Sequence, residues 1–186
     1  YSQLKHYYVI FFVFLLQNRG VAQTEKAEYY PNRVLKAHGL LIDSLKTGAW
    51  TFYYANGEKS AVEHFTNDKL NGTVTYYYPN KKIQGEEKWV MGSLEDSARY
   101  YHQNGLLEKK GVYRNAQYEG TWLHYFENGK LERVVNYRNG MPEGRTEVYD
   151  EHGYLLQEGN YTGGKEHGEW KFYSEKNPRH LRFYLV

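Results

Sequence analysis

Three groups of side chains in this sequence are suited to chemistry: eight histidines, a few paired acids, and a large supply of Tyr and Trp. The histidines are His6, His38, His64, His102, His124, His152, His167 and His180. None forms a His-Glu-x-x-His or a comparable ligand set, so their spacing gives no metal site. Glu86-Glu87 and Glu95-Asp96 adjoin turn residues and read as solvated acids rather than a glycosidase pair. Gly163-Gly164 lacks the strand-to-helix context of a phosphate loop, and no Gly-x-Ser-x-Gly occurs. With no cysteine, disulfides and thiolate ligands are excluded. No catalytic residue, metal or cofactor is expected, and the chain reads as a non-enzyme. The aromatic residues remain. They make up 18% of the chain, with 21 Tyr, 8 Phe and 4 Trp. A Tyr or Trp ring has an apolar body and a polar tip, so the chemistry it offers is recognition and packing.

These rings are not scattered. The stretch Gly120-Thr121-Trp122-Leu123-His124-Tyr125-Phe126-Glu127-Asn128-Gly129-Lys130-Leu131 returns every 24 residues. With Gly120 taken as position 0, that position falls at Gly48, Gly72, Asp96, Gly120, Gly144 and Gly168. Position 5 is Tyr53, Tyr77, Tyr101, Tyr125, Tyr149 and Tyr173, and Tyr29 fills it in an earlier, decayed copy. Self-similarity at a fixed period of this size marks a repeat architecture. The units run 48–71, 72–95, 96–119, 120–143, 144–167 and 168–186, after a degenerate capping repeat at 23–47. The register is unbroken from 48 to 186, which predicts one continuous domain.

Each unit reads as two short strands. Asn-Gly at positions 8 and 9 signals one hairpin, and Asn139-Gly140 or Gly163-Gly164 at positions 19 and 20 signals a second turn. Turns every ~12 residues leave no room for a helix with apolar residues spaced three and four apart. The expected fold is all-β: an elongated single-layer antiparallel β-meander of tandem 24-residue β-hairpin repeats. Strands ~4.8 Å apart would extend such a sheet roughly 65 Å.

Turn type decides which residues share a face. A two-residue Asn-Gly loop pairs position 6 with position 11. A three-residue loop such as Glu127-Asn128-Gly129, with Gly left-handed, pairs position 5 with position 11. The second version is preferred, with the same loop at the second turn. It collects the most regular columns on one face: the position-5 Tyr, Leu107, Leu131 and Leu155 at position 11, and Phe65, Trp89, Tyr113, Tyr137 and Tyr161 at position 17. These are assigned to packing between repeats. The opposite face then carries Trp50, Phe52, Tyr76, Tyr100, Trp122, His124, Trp170 and Phe172. A single layer cannot cover both faces, so this second set is expected to stay partly exposed and to be the binding surface.

Residues 1–22 differ from the rest. Lys5 and His6 precede the apolar run Tyr7 to Leu16, and Gly20-Val21-Ala22 ends the segment. That pattern is a secretory signal peptide cleaved after Ala22, and the run is too short for a transmembrane helix. Localisation is therefore expected to be periplasmic, outer-membrane-associated or extracellular. Residues 1–23 carry Lys5 and Arg19 and no acid, which leaves the mature chain with as many basic side chains as its 22 acidic ones. A neutral chain lacks the basic footprint of nucleic-acid binding. At the other end, His180 to Val186 reads as a terminal strand, with Arg179 and Arg182 discouraging edge-to-edge association.

The pattern Gly-x-Trp-x-x-Tyr-x-x-Asn-Gly-x-Leu, followed by Tyr-x-Asn-Gly-x-x-x-Gly, resembles the MORN repeat variant, found in bacterial proteins that include YwqK-like antitoxins. The resemblance covers roughly residues 26–178 and is carried best by Gly120 to Gly144 and Gly48 to Asn56. Asp96 and Ala98 depart from it, as do Thr146 and Lys81. It implies a β-meander used as an interaction surface and no catalytic residues. Three functions follow as expectations. The first is a non-enzymatic scaffold of the cell envelope that binds a protein or peptide. The second is a cell-wall or glycan binder that stacks sugars on Trp50, Trp122 and Trp170. The third is an antitoxin or immunity-type partner of a toxin.

Overall fold

The computed structural model describes residues 22–174 and, as backbone, the strand formed by residues 177–185. The expected signal peptide lies outside the described residues, apart from Ala22, as do the side chains of Arg179 and Arg182. All described regular structure is strand, and no described helix is present to cross a membrane. The elements are β1 (Gln23–Tyr29), β2 (Leu35–Ile42), β3 (Leu45–Tyr53), β4 (Lys59–Thr66), β5 (Lys69–Leu70), β6 (Gly72–Tyr77), β7 (Ile83–Val90) and β8 (Ser93–Leu94). They continue as β9 (Asp96–Tyr101), β10 (Leu107–Arg114), β11 (Gln117–Tyr125), β12 (Leu131–Arg138), β13 (Met141–Tyr149), β14 (Leu155–Thr162), β15 (Lys165–Ser174) and β16 (Asn177–Leu185). They form one 16-stranded sheet in which chain order is spatial order; β5 and β8 are short pieces on β4 and β7. Every pairing is antiparallel, so the fold is the expected meander.

The Asn-Gly turn is the three-residue loop. Gly129 N–H donates to Phe126 O at 2.9 Å or less, Phe126 N–H donates to Lys130 O, and Gly129 is left-handed at φ 81°. Position 5 then pairs with position 11, as Tyr53 with Lys59, Tyr125 with Leu131 and Tyr149 with Leu155. The next pair breaks the simple pattern. His124 pairs with Arg133, not with Glu132, so Glu132 is an extra residue on its strand. Ser60 and Leu156 are extra in the same way. One extra residue moves every later side chain to the other face. Position 17 consequently pairs with position 0, as Tyr137 with Gly120, and shares its face with positions 2 and 4. The sequence-based placement of Phe65, Trp89, Tyr113, Tyr137 and Tyr161 beside the position-5 Tyr is therefore corrected.

The second turn also differs from expectation. It has two residues, not three, enclosed by pairs such as Arg138 with Met141 and Ile42 with Leu45. Both residues have positive φ, as Asn139 (50°) with Gly140 (78°) and Asp43 (49°) with Ser44 (69°). That is the I′ pattern, whose twist matches the strands it joins.

Both rows of turns are laced together from repeat to repeat. Tyr30, Tyr54 and Tyr78 at position 6 each donate a hydroxyl to the carbonyl of Tyr53, Tyr77 and Tyr101, at 2.8, 2.6 and 2.8 Å. Asn80, Asn104 and Asn128 donate Nδ2 to the next loop, at Gln103, Glu127 and Glu151 O. At the other edge, Glu95, Glu119 and Glu143 accept from the backbone N–H of Asn115, Asn139 and Gly163, at 2.9, 3.0 and 2.8 Å. These rungs replace the lateral support that a globular core gives an ordinary domain.

Candidate functional site

The core lies on one face of the sheet. Its buried members are Trp50, Val74, Ala98, Trp122, Thr146 and Trp170 at position 2, with Ala37, Ala61, Leu94 and Val135 beside them. The face is apolar because positions 2, 4, 13, 15, 17 and 22 all point to it, as the cross-strand pairs require. The three indoles are 0–1% exposed. In a single layer, burial of that degree needs a roof of side chains. Tyr118 and Tyr113 lie 4.2 and 5.0 Å from Trp122, centroid to centroid. Tyr161 stands edge-on to Trp170 at 5.3 Å, and the Lys46 ammonium sits 4.5 Å over Trp50.

Beneath each indole is a glycine of the preceding strand. A Cβ on Gly39 would lie 2.4 Å from Trp50, and Cβ atoms on Gly111 and Gly159 would lie 2.2 Å from Trp122 and Trp170. The ring rests on the bare backbone. In the other three units both members change together, to Glu63 with Val74, Glu87 with Ala98, and Val135 with Thr146. Trp50 and Trp122 also donate Nε1–H to Leu40 O and Val112 O at 3.0 and 3.1 Å, while Trp170 Nε1 has no acceptor.

This overturns the exposure expected for the Trp column. Trp50, Trp122 and Trp170 are interior girders, closed to solvent by neighbours on their own face. Phe52, Tyr76, Tyr100, His124 and Phe172 do lie on the face expected for them and are half-buried. The position-17 rings Phe65, Trp89, Tyr113, Tyr137 and Tyr161 join them, also half-buried. The two columns form a row of part-exposed rings around the closed indoles.

In the unit where Ala98 replaces the indole, a carboxylate organises the face. Glu87 accepts from Tyr100 OH at 2.6 Å, Trp89 Nε1–H at 3.0 Å and Tyr76 OH at 3.2 Å. Burial, and then the neighbouring Glu87, hold both Tyr hydroxyls well above the ordinary phenol range. Glu87, expected from its place near a turn to be a solvated acid, is the hub of three aromatic donors. His124 is held neutral. Burial, then the Arg133 and Lys109 charges, push its pKa down to about 4, and its Nε2 has no partner.

The opposite face is polar and holds the position-5 Tyr column, which is half-buried except for the exposed Tyr29. Its hydroxyls reach carboxylates: Tyr101 to Glu86 at 3.0 Å, Tyr149 to Glu147 at 2.7 Å and Tyr173 to Glu158 at 2.8 Å. Glu158 is lowered by the Tyr173 hydroxyl and then by Arg145 and Lys171, despite some burial. Arg145 bridges Glu147 and Glu158 at 2.7 and 2.8 Å. Leu107, Leu131 and Leu155 pair directly with this Tyr column. Among the described residues, no three His, Asp or Glu side chains converge as a metal site.

The model of one protein family, the MORN repeat variant, matches residues 46–67, 70–90 and 118–139. No curated protein matches the chain. The matched family is a non-catalytic repeat family whose modules generally bind proteins or membranes.

Proposed function

Taking the chain as an array carrying MORN repeat variants, we propose that it is an exported, non-enzymatic scaffold of the bacterial cell envelope that binds a protein or peptide on its aromatic face. The observation that carries this is the row of half-exposed rings at positions 4 and 17, with no second layer over it among the described residues. A contiguous aromatic row rimmed by polar groups is what a recognition surface needs, and Tyr, Trp and Arg supply most hot spots. Export rests on the segment before Gln23. The glycan reading relied on stacking against Trp50, Trp122 and Trp170, which burial of 99% or more does not allow. The test is photo-crosslinking from the mature chain in an envelope extract. A crosslinker at Val148 or Phe172, on the aromatic face, should capture a partner that the same group at Thr121, on the polar face, does not. Equal capture from both faces would sink the assignment.

A further inference from the structure

The aromatic face is not closed along its whole length. At the fifth unit Thr146 stands where other units have Trp, and Val148 stands where they have a ring. The result is a pocket of about 240 Å³ between the Trp122 and Trp170 girders. Thr146, 3% exposed, lines its floor. Tyr137 and Tyr161 line it from β12 and β14, the strands on either side of β13, together with Trp170, Arg133 and Gln157. Small-molecule sites generally span ~300–1,000 Å³, so this volume suits a single side chain of a larger partner better than a free metabolite or a sugar chain.

The charge of the pocket is one-sided. No carboxylate lines it. Arg133, an exposed residue, makes no ion pair among the described residues. Beside it, burial first, and then the positive charges of Arg133 and Lys109, keep His124 neutral. Of the acids on these strands, Glu147 and Glu158 are on the polar face with Arg145, Glu143 is bonded to the Gly163 N–H, and Glu166, the cross-strand partner of Tyr161, is exposed and outside the pocket lining. A planar guanidinium with no carboxylate partner, next to a carboxamide and two phenolic rings, is a bidentate receptor for a carboxylate on a short apolar stem.

We infer that the Thr146 pocket is a specificity pocket for an acidic side chain, Glu or Asp, of the protein partner, with Arg133 as its counter-charge. The inference rests on the scaffold reading and names what that scaffold selects. It also accounts for a sequence feature the repeat does not need. Position 2 is filled by Trp in three units and by Val or Ala in two, and only here by a small hydroxyl residue, with neither a ring nor a carboxylate filling the space.

The test uses the whole mature chain and a defined probe, N-acetyl-glutamate N-methylamide, with the glutamine analogue as control. Trp170 lines the pocket and its indole N–H has no acceptor, so its NMR resonance is the reporter. The glutamate probe should shift that resonance saturably and the glutamine probe should not. Arg133→Met keeps the aliphatic stem and should weaken glutamate binding tenfold or more, as loss of a charged hydrogen bond does. Val135→Gly with Thr146→Trp rebuilds the Gly–Trp pair of the other units, fills the pocket without depending on a weakened fold, and should abolish the shift. Equal response to both probes, or indifference to Arg133→Met, would overturn the pocket. Random peptides selected on the same chain separate the two readings. Peptides that bind the aromatic face but ignore Arg133→Met leave the scaffold and remove the pocket. Selection of no peptide removes both.

Discussion

Gly111→Ala is the sharpest perturbation of the girder arrangement. The new Cβ would lie 2.2 Å from Trp122 Cδ2 and 2.3 Å from Cε2, separations that real Cβ atoms do not show. Gly111 carries no positive φ, so no backbone strain is added, and the lower entropy of the unfolded chain favours Ala by ~0.4–1 kcal/mol. Against that, overpacking costs about 1–3 kcal/mol. Displacing the indole also endangers its 3.1 Å bond to Val112 O, worth about 1 kcal/mol. The expected net loss is about 2–3 kcal/mol, read as a shift in urea midpoint with the slope checked, because a repeat array need not unfold in one step. A double-mutant cycle isolates the contact. Trp122→Val alone leaves a cavity and should cost about 3 kcal/mol or more. Gly111→Ala with Trp122→Val should cost clearly less than the sum, because the clash has gone. If the two changes add within ~0.5 kcal/mol, or Gly111→Ala alone costs less than that, the indole does not rest on Gly111 and the reasoning fails.

Other expectations follow from the same geometry. Phe126 is the one aromatic member of position 6 without a polar ring atom, so Phe126→Tyr should add the missing rung to Tyr149 O and raise stability by up to about 1 kcal/mol, while Tyr78→Phe should lose about as much, both by denaturant titration. Glu87→Leu leaves three aromatic donors without their acceptor and should destabilise by about 2–3 kcal/mol with a changed near-ultraviolet dichroism signal, and Glu87→Gln by less. His124 has a folded pKa of about 4, below its ordinary 6.5, so the unfolded chain binds the extra proton. Its contribution is present above pH 6.5 and declines as the pH falls from there to about 4; His124→Gln should flatten that segment of the stability–pH curve.

Much of this fold is legible from period and turn chemistry. The constant Tyr at position 5 and Gly at position 9 fix the three-residue loop and its pairing with position 11. The rest depends on events one residue in size. Ser60, Glu132 and Leu156 are unremarkable as letters, yet each is the extra residue that turns the following strand over. Asp43-Ser44 and Asn67-Asp68 adopt a turn usually written with Gly, so its two-residue length is hidden in those repeats. Together these put the position-17 rings over the indoles instead of beside the Tyr column. One signal in the sequence does report the true arrangement. Gly39, Gly111 and Gly159 each precede a Trp by eleven residues, and units without that Gly lack the Trp. A pair that changes together is a contact, and this one places the Trp on a covered face. The pocket was less legible, because Arg133 belongs to one unit and Thr146 and Gln157 to the next, and they meet only through the register.

The account stands on closed indoles beneath a reachable row of rings. Acrylamide quenching of the chain carrying Trp89→Phe measures this directly, since Trp50, Trp122 and Trp170 are then the only tryptophans of its sequence. The three are 0–1% exposed, so their fluorescence should be nearly insensitive to the quencher until the chain unfolds. Quenching in the native state at the rate of an exposed indole would contradict the account, and would return the Trp column to the role of contact surface.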